Sequence, residues 1–279
     1  MNVLITGSSG FLGGYFVDAW NADGHNVISL GRGSENRVIC DLKNTFPNIE
    51  EDIDYALHIA GKAHSVPKTR EEEDEFLQVN VKGTAHLLKG LEPKNIKALL
   101  YVSSVAVYGV KYGQDIDENQ PLQAVDSYGK SKIEAEEMVV EWGRKNNIMV
   151  TILRPPLIIA KKAPGNLGKM INGIKRNRYV NIANGKAKRS VVLAEDIARF
   201  SLDIIEVGGI YNVTDGVDVS FKQLSHSISK VLGKQETKNI PYWLARSLAK
   251  TGDFFEIMFK KEAPFSTKKL NQMTTDLTF

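Results

Sequence analysis

Tyr128 and Lys132 are four residues apart in Tyr128-Gly129-Lys130-Ser131-Lys132. On a helix, that spacing puts both side chains on one face. A free phenol has a pKa of about 10, too high for a general base near neutrality. A neighbouring ammonium stabilises the phenolate and brings it closer to use. Ser104 stands upstream, at the end of the apolar run Ala98–Ser103. Its hydroxyl can share an oxygen that gains or loses a proton. Together the three side chains suit proton transfer at an alcohol or carbonyl oxygen. A second feature lies near the N-terminus, in Thr6-Gly7-Ser8-Ser9-Gly10-Phe11-Leu12-Gly13. Glycine allows a tight turn and a close approach of backbone to a pyrophosphate. A helix opening directly after the loop supplies N–H donors and a positive dipole end.

Positioning these groups requires strands and helices in alternation. Strands are expected at Asn2–Thr6, Asn26–Leu30, Val38–Cys40, Tyr55–Ile59, Ala98–Ser103 and Val150–Leu153. Several are apolar throughout, as parallel strands covered on both faces must be. Helices are expected at Phe11–Ala22, Glu71–Gly90 and Tyr128–Asn146, with the acidic run Glu71–Glu75 as a solvated first turn. This alternation predicts a Rossmann-like, doubly wound parallel sheet. After Arg154-Pro155-Pro156 the chain becomes basic and rich in Gly and Asn, with a helix near Leu167–Lys175. Strands follow at Ser190–Leu193 and Ile210–Val213 around a helix at Ala194–Val207. From Ser220 onward the pattern is helical, with breaks at Gly233, Pro241 and Pro264. The expected division is a dinucleotide-binding domain over 1–160, to which 189–215 return. A smaller, mainly helical substrate subdomain takes 161–188 and 216–279.

The 279 residues carry a formal net charge of +3 and one cysteine, Cys40. The charge is too small to imply nucleic acid or an anionic membrane as the main partner. One cysteine makes no internal disulfide and no thiolate metal cluster, and no metal site is expected. No apolar run approaches the ~18 residues of a membrane span. The N-terminus has no signal-peptide pattern. The expectation is a soluble cytoplasmic chain.

The glycine spacing, Gly-x-x-Gly-x-x-Gly, resembles that of the extended short-chain dehydrogenase/reductase superfamily, in the epimerase/dehydratase branch acting on nucleotide sugars. The resemblance continues through Asp41-Leu42, His58-Ile59-Ala60-Gly61-Lys62-Ala63-His64, Asn80-Val81-Lys82-Gly83-Thr84 and Tyr101-Val102-Ser103-Ser104-Val105-Ala106-Val107-Tyr108-Gly109. It implies hydride transfer between a nicotinamide dinucleotide and a carbinol carbon, with Ser104, Tyr128 and Lys132 catalytic. It implies cofactor contacts from Gly7, Ser9, Gly10, Phe11, Leu12, Asp41, Leu42, Ile59, Ala60, Gly61, Asn80 and Pro155, besides Tyr128 and Lys132. It places substrate contacts at His64, Ser104, Asn166 and Arg189, the last suited to the diphosphate of a sugar nucleotide.

The end of the second strand reads Ser29-Leu30-Gly31-Arg32-Gly33. With no carboxylate there, Arg32, helped by Ser8 and Arg37, suits the 2′-phosphate of NADP, with NAD the alternative. Relatives that eliminate water carry an acid pair after the catalytic hydroxyl residue. Val105 and Ala106 stand there instead, which argues against a 4,6-dehydratase. The expected activity is reduction of a UDP-4-keto-6-deoxy-N-acetyl-hexosamine. A UDP-hexose 4-epimerase with tightly held NAD is the alternative, and a non-catalytic NADP-sensing regulator a further one. A homodimer is left open.

Overall fold

The computed structural model describes residues 1–63, 67–92, 94–259, 263 and 265–279. Strands β1 (Asn2–Thr6), β2 (Asn26–Gly31), β3 (Val38–Ile39), β4 (Tyr55–His58), β5 (Ala98–Val102) and β6 (Met149–Arg154) match the expected runs to within a residue or so at each end. Short strands β7 (Leu157–Ile159), β8 (Val180–Ile182), β9 (Lys188–Leu193), β10 (Gly209–Asn212), β11 (Asp218–Ser220) and β12 (Lys238–Ile240) follow. Seven strands form one sheet in the order β3-β2-β1-β4-β5-β6-β10. Every pairing in it is parallel, for example Leu4 with Ile28 and with Ala56, and Tyr101 with Ile152. The order reverses between β1 and β4, the switch point at which doubly wound sheets open a crevice beyond their strand ends.

The helices are α1 (Gly13–Ala22), α2 (Arg70–Phe76), α3 (Gly83–Leu91), α4 (Ser127–Asn146), α5 (Gly165–Lys175), α6 (Ala194–Ile204), α7 (Phe221–Val231), α8 (Tyr242–Phe259) and α9 (Thr267–Thr274). Alternate strand residues supply two cores. Leu4, Ile28, Ala56, Leu99, Tyr101 and Ile152 pack against Leu87 and Leu91 of α3 and Val139 and Trp142 of α4. Val3, Ile5, Leu57, Leu100 and Leu153 pack against Phe16 and Trp20 of α1 and Ile197 and Ala198 of α6. Both faces are dry, so the strands cannot alternate with polar residues.

Two compact units emerge. The first takes 1–110, 117–163 and 192–214; the second takes 111–116, 164–191 and 215–279. The second holds α5, α7, α8 and α9, the parallel pair β8–β12, and β11 set antiparallel to the start of β9. Among the described residues no helix is long and apolar enough to cross a membrane.

The sequence suggests one helix over Glu71–Gly90, but three segments replace it. Thr69 caps α2 through Glu72 N, a wide π-turn follows at Leu77–Lys82, and α3 continues from Gly83. Widening the turn inserts extra backbone and rotates the residues after it. Asn80, within the π-turn, is buried.

Candidate active site

The site of the first unit is built at the carboxyl ends of β1, β4 and β5. The glycine loop closes on itself through Gly10 N donating to Gly7 O at 2.8 Å. Gly7 has φ of +68°, and a Cβ there would lie 2.8 Å from the Ala60 backbone. A Cβ on Gly10 would meet the Gly7 carbonyl at 2.9 Å, and one on Gly13 would collide with that oxygen. No side chain caps α1, which opens at Gly13 directly from the loop. Ser9 and Gly10 are exposed, Phe11 is half-buried and Leu12 packs into the core. A pinched glycine turn leading into an uncapped helix start fits a dinucleotide pyrophosphate.

A hydrogen-bond chain fixes the loop's wall. Thr6 Oγ1 accepts from the N–H groups of Ile59 and Ala60, both at 3.1 Å, and lies 2.8 Å from His58 Nδ1. His58 Nε2 lies 2.9 Å from Thr84 Oγ1, which donates to Asn80 O at 2.5 Å. With Thr6 accepting twice and Thr84 donating to a carbonyl, Thr6 donates to Nδ1 and the Nε2–H donates to Thr84. The imidazole is therefore neutral. Its complete burial, with the Lys132 charge second, drives its pKa down to about 3. Asn80 then ties the Gly61–Lys62 loop to α4. Its Oδ1 accepts from Lys62 N at 2.7 Å, and its Nδ2 donates to Lys62 O at 3.1 Å and Ser131 Oγ at 2.9 Å.

Asp126 caps α4 by accepting from Gly129 N at 3.0 Å, which sets the helix carrying Tyr128 and Lys132. Lys132 reaches under the ends of β4 and β5. Its Nζ donates to Val102 O at 2.9 Å and to Tyr101 Oη at 3.1 Å. A Cβ on Gly61 would lie 3.4 Å from that Nζ and 3.2 Å from Asn80 Oδ1. Burial lowers the Lys132 pKa to about 8, against the pull of Glu136. Burial pushes the Tyr128 phenol up; a hydrogen bond with Ser104 pulls it back. The Tyr128 ring packs 6.0 Å from Phe76. Ser104 caps the short 3₁₀ turn Val105–Tyr108, accepting from Ala106 N at 3.2 Å, and Val105 N donates to Pro155 O. The structure thus brings Ser104, Tyr128, Lys132, Gly61, Asn80 and Pro155 together.

The loops after β2 and β3 are less uniform. Asp41 turns its carboxylate onto its own loop, accepting from Lys43 N at 3.1 Å and Asn44 Nδ2 at 2.8 Å. Leu42 is buried against α3. Arg32 is exposed, and its charge helps hold the Glu75 carboxyl below its usual range, after that of Lys62 and Lys43. Arg37 is turned to Glu51, and Ser8 donates to Asn36 Oδ1 at 2.8 Å. The sequence reading found no carboxylate at the end of β2. Beyond that strand end, the loop folds Glu35 back so that its carboxylate lies over Gly33. Asn36 Nδ2 holds that fold by donating to Gly33 O at 3.0 Å.

In the second unit, Asn166 is exposed on the first turn of α5. Arg189 is occupied within its own unit. Nη1 donates to Thr275 O at 2.7 Å and Lys188 O at 2.6 Å, and Nη2 donates to Gln272 O. Its guanidinium also lies 5.0 Å from the Phe221 ring. The carbonyls of Gln272 and Thr275 lie at the C-terminal end of α9, where positive charge is favoured. His64 lies outside the described residues. Sequence reasoning missed Thr6, Glu35, Asn36, Thr84 and the bridging part of His58. Thr6, His58 and Thr84 stand within the motifs quoted above with no role of their own assigned, and Glu35 and Asn36 carried no signal.

Residues 3–214 match the NAD dependent epimerase/dehydratase family. The chain is 30% identical over 259 residues to the N-acetyl-alpha-D-glucosaminyl-diphospho-ditrans,octacis-undecaprenol 4-epimerase of Escherichia coli O157:H7, covering 86% of this chain and 76% of that one. It is 28% identical to the dTDP-D-glucose 4,6-dehydratase of Mus musculus over 265 residues, 85% of this chain and 74% of that one. The solved UDP-N-acetylglucosamine 4-epimerase from Bacillus cereus superposes with a TM-score of 0.72 at 20% identity, covering 98% of this chain and 97% of that chain. With its parallel sheet, its glycine loop and this sequence match, the chain belongs to the NAD dependent epimerase/dehydratase family, of the extended short-chain dehydrogenase/reductase type.

Proposed function

We propose that the chain inverts C4 of a hexose held through an anomeric diphosphate, with NAD retained between turnovers. The observation that carries this reading is the Ser104–Tyr128–Lys132 cluster, fixed by Asn80 and the Val102 carbonyl beside the glycine loop. Bound NAD supplies reversible hydride exchange with a carbinol carbon and a positive ring in its oxidised form. The chain's residues manage the proton. Tyr128 takes it from the C4 hydroxyl and returns it to the C4 oxygen. Ser104 hydrogen-bonds the phenol and can share the same substrate oxygen. Lys132, one turn further along α4, holds its ammonium on Val102 O and Tyr101 Oη, while Ser104 opposes the upward push of burial on the phenol.

Two features support epimerisation with NAD. The relative at 30% identity is named as a 4-epimerase of a sugar diphosphate. The Glu35 carboxylate over Gly33 suits a ribose 2′-hydroxyl and repels a 2′-phosphate. The positions directly after Ser104 are Val105 and Ala106, so water elimination lacks an acid and a base there. A second reading, an NADPH-dependent 4-ketoreductase of a keto-deoxy sugar nucleotide, is favoured by exposed Arg32, whose guanidinium suits a 2′-phosphate.

The test incubates the purified chain with UDP-N-acetylglucosamine, and separately with the undecaprenyl-diphosphate-linked sugar, without added reductant. Product NMR should find the C4 epimer, and Tyr128→Phe should slow its formation by about 10²-fold or more. Turnover only with added NADPH and a 4-keto sugar would replace this reading with the reductase. No turnover with either would favour a regulator.

A further inference from the structure

Helix α8 carries the largest set of exposed apolar side chains on the second unit. Ala245 and Ala249 are buried, and with Leu270 and Ile182 they make the small core on which the helix rests. The opposite arc holds Trp243, Leu244, Leu248, Phe254, Phe255, Met258 and Phe259, from 37% to 69% exposed. At 100° per residue these span roughly half of the helix circumference.

The charges on α8 are sorted in the same way. Asp253 and Glu256 are half-buried and already bound within the unit, Asp253 accepting from Thr267 N at 2.8 Å and Glu256 from Ala263 N at 2.9 Å. Arg246 and Lys250 are exposed beside the apolar arc, and no acid lies on the exposed arc. Lys260 and Lys261, and then Glu262, follow the helix directly in sequence.

A surface of Trp, Phe, Leu and Met flanked by Arg and Lys has the composition of a helix lying in a membrane interface. A second copy of the chain docking through this same face would meet it with the same two cations and no carboxylate to pair with them. An anionic bilayer offers both an apolar layer and the opposite charge. We infer that α8 seats the protein on the surface of an anionic lipid bilayer, with Trp243, Phe254 and Met258 dipping below the headgroups. The net charge of +3 argues against a charge-driven partner for the whole chain, but this contact is local and mainly apolar. The inference goes beyond the reaction proposed above and does not rest on it.

The test uses the full chain with vesicles of phosphatidylcholine alone and of phosphatidylcholine with phosphatidylglycerol at 7:3. Of the three tryptophans, Trp20 and Trp142 are buried and only Trp243 is exposed. Emission should therefore move to shorter wavelength on adding the mixed vesicles, and Trp243→Phe should abolish the change. Co-sedimentation should fall at least ten-fold in Phe254→Ser/Phe255→Ser/Met258→Ser. It should fall about five-fold for each of Arg246→Gln and Lys250→Gln, on the anionic vesicles only. The absence of both co-sedimentation and an emission shift in the unmodified chain would overturn the inference, whatever the variants do. So would equal binding by the triple variant, or a dimer in light scattering that the triple variant abolishes while vesicles bind neither protein.

Discussion

Removing one member of the buried Glu136–Arg154 pair should destabilise the first unit more than removing both. Glu136 projects from α4 and Arg154 ends β6; their side chains are 4% and 3% exposed. The contact is two-pronged, with Arg154 Nε on Oε1 at 3.0 Å and Nη2 on Oε2 at 2.6 Å. Nη1 donates to Tyr108 Oη at 3.0 Å, and that hydroxyl donates to Asn212 Oδ1 at 2.7 Å. Glu136→Ala leaves the guanidinium dry, with a phenol oxygen as its remaining side-chain partner. Breaking a buried pair in this way costs about 3–5 kcal/mol. For a chain of this size that corresponds to a fall in Tm of roughly 6–20 °C. Glu136→Met with Arg154→Met removes both charges at similar volume and should lose less than either single change. Thermal and urea melts followed by circular dichroism give the four corners of the cycle. A loss under about 1 kcal/mol for Glu136→Ala, or a double variant weaker than both singles, would refute this account of the pair.

Gly7→Ala should lower dinucleotide affinity in calorimetry while leaving the circular dichroism spectrum intact. The residue has φ of +68° and its added Cβ meets the Ala60 backbone at 2.8 Å, so strain of about 1–2 kcal/mol adds to a displaced loop wall. Unchanged affinity would make the loop an ordinary turn. His58 should make stability depend on pH. Its folded pKa of about 3 lies below the ordinary histidine value of 6.5, so its contribution is complete above about 6.5 and falls away as the pH drops toward 3, because the unfolded chain binds the proton first. The loss in Tm between pH 7 and pH 5 should shrink in His58→Gln; equal loss would mean His58 accepts a proton while folded. Glu35→Ser should raise affinity for NADP relative to NAD, and an unchanged ratio in titrations would exclude the carboxylate as the discriminator.

The architecture was legible because parallel strands buried on both faces leave continuous apolar runs, and β1 to β6 fall on those runs. The groups proposed for chemistry were legible because their spacing is local. Tyr128 and Lys132 are one helical turn apart, and Gly7, Gly10 and Gly13 lie in one loop. The network that holds them was not, because its bonds join distant residues. Nothing local pairs Thr6 with His58, or Asn80 with Ser131. Glu35 reads as an ordinary loop acid until Asn36 folds the turn over Gly33. The π-turn at Leu77–Lys82 escaped because its residues suit a plain α-helix. Its evident gain is tertiary, the burial of Asn80 against Lys62 and Ser131. Arg189 suggested a phosphate ligand by type, whereas its donors meet carbonyls at the end of α9. The weak periodic signals of β7, β8, β11 and β12, three residues each, went unseen.

The central claim is that the C4 carbon is oxidised and reduced within one active site, with Tyr128 handling the proton. The direct measurement supplies the protein, as purified and without added cofactor, with a diphosphate-linked N-acetylhexosamine deuterated at C4. Product is then read by NMR and mass spectrometry. The expected result is inversion at C4 with the deuterium still on that carbon, and loss of the reaction in Tyr128→Phe. Inversion with deuterium exchanged for solvent hydrogen, or full turnover in Tyr128→Phe, would contradict the account.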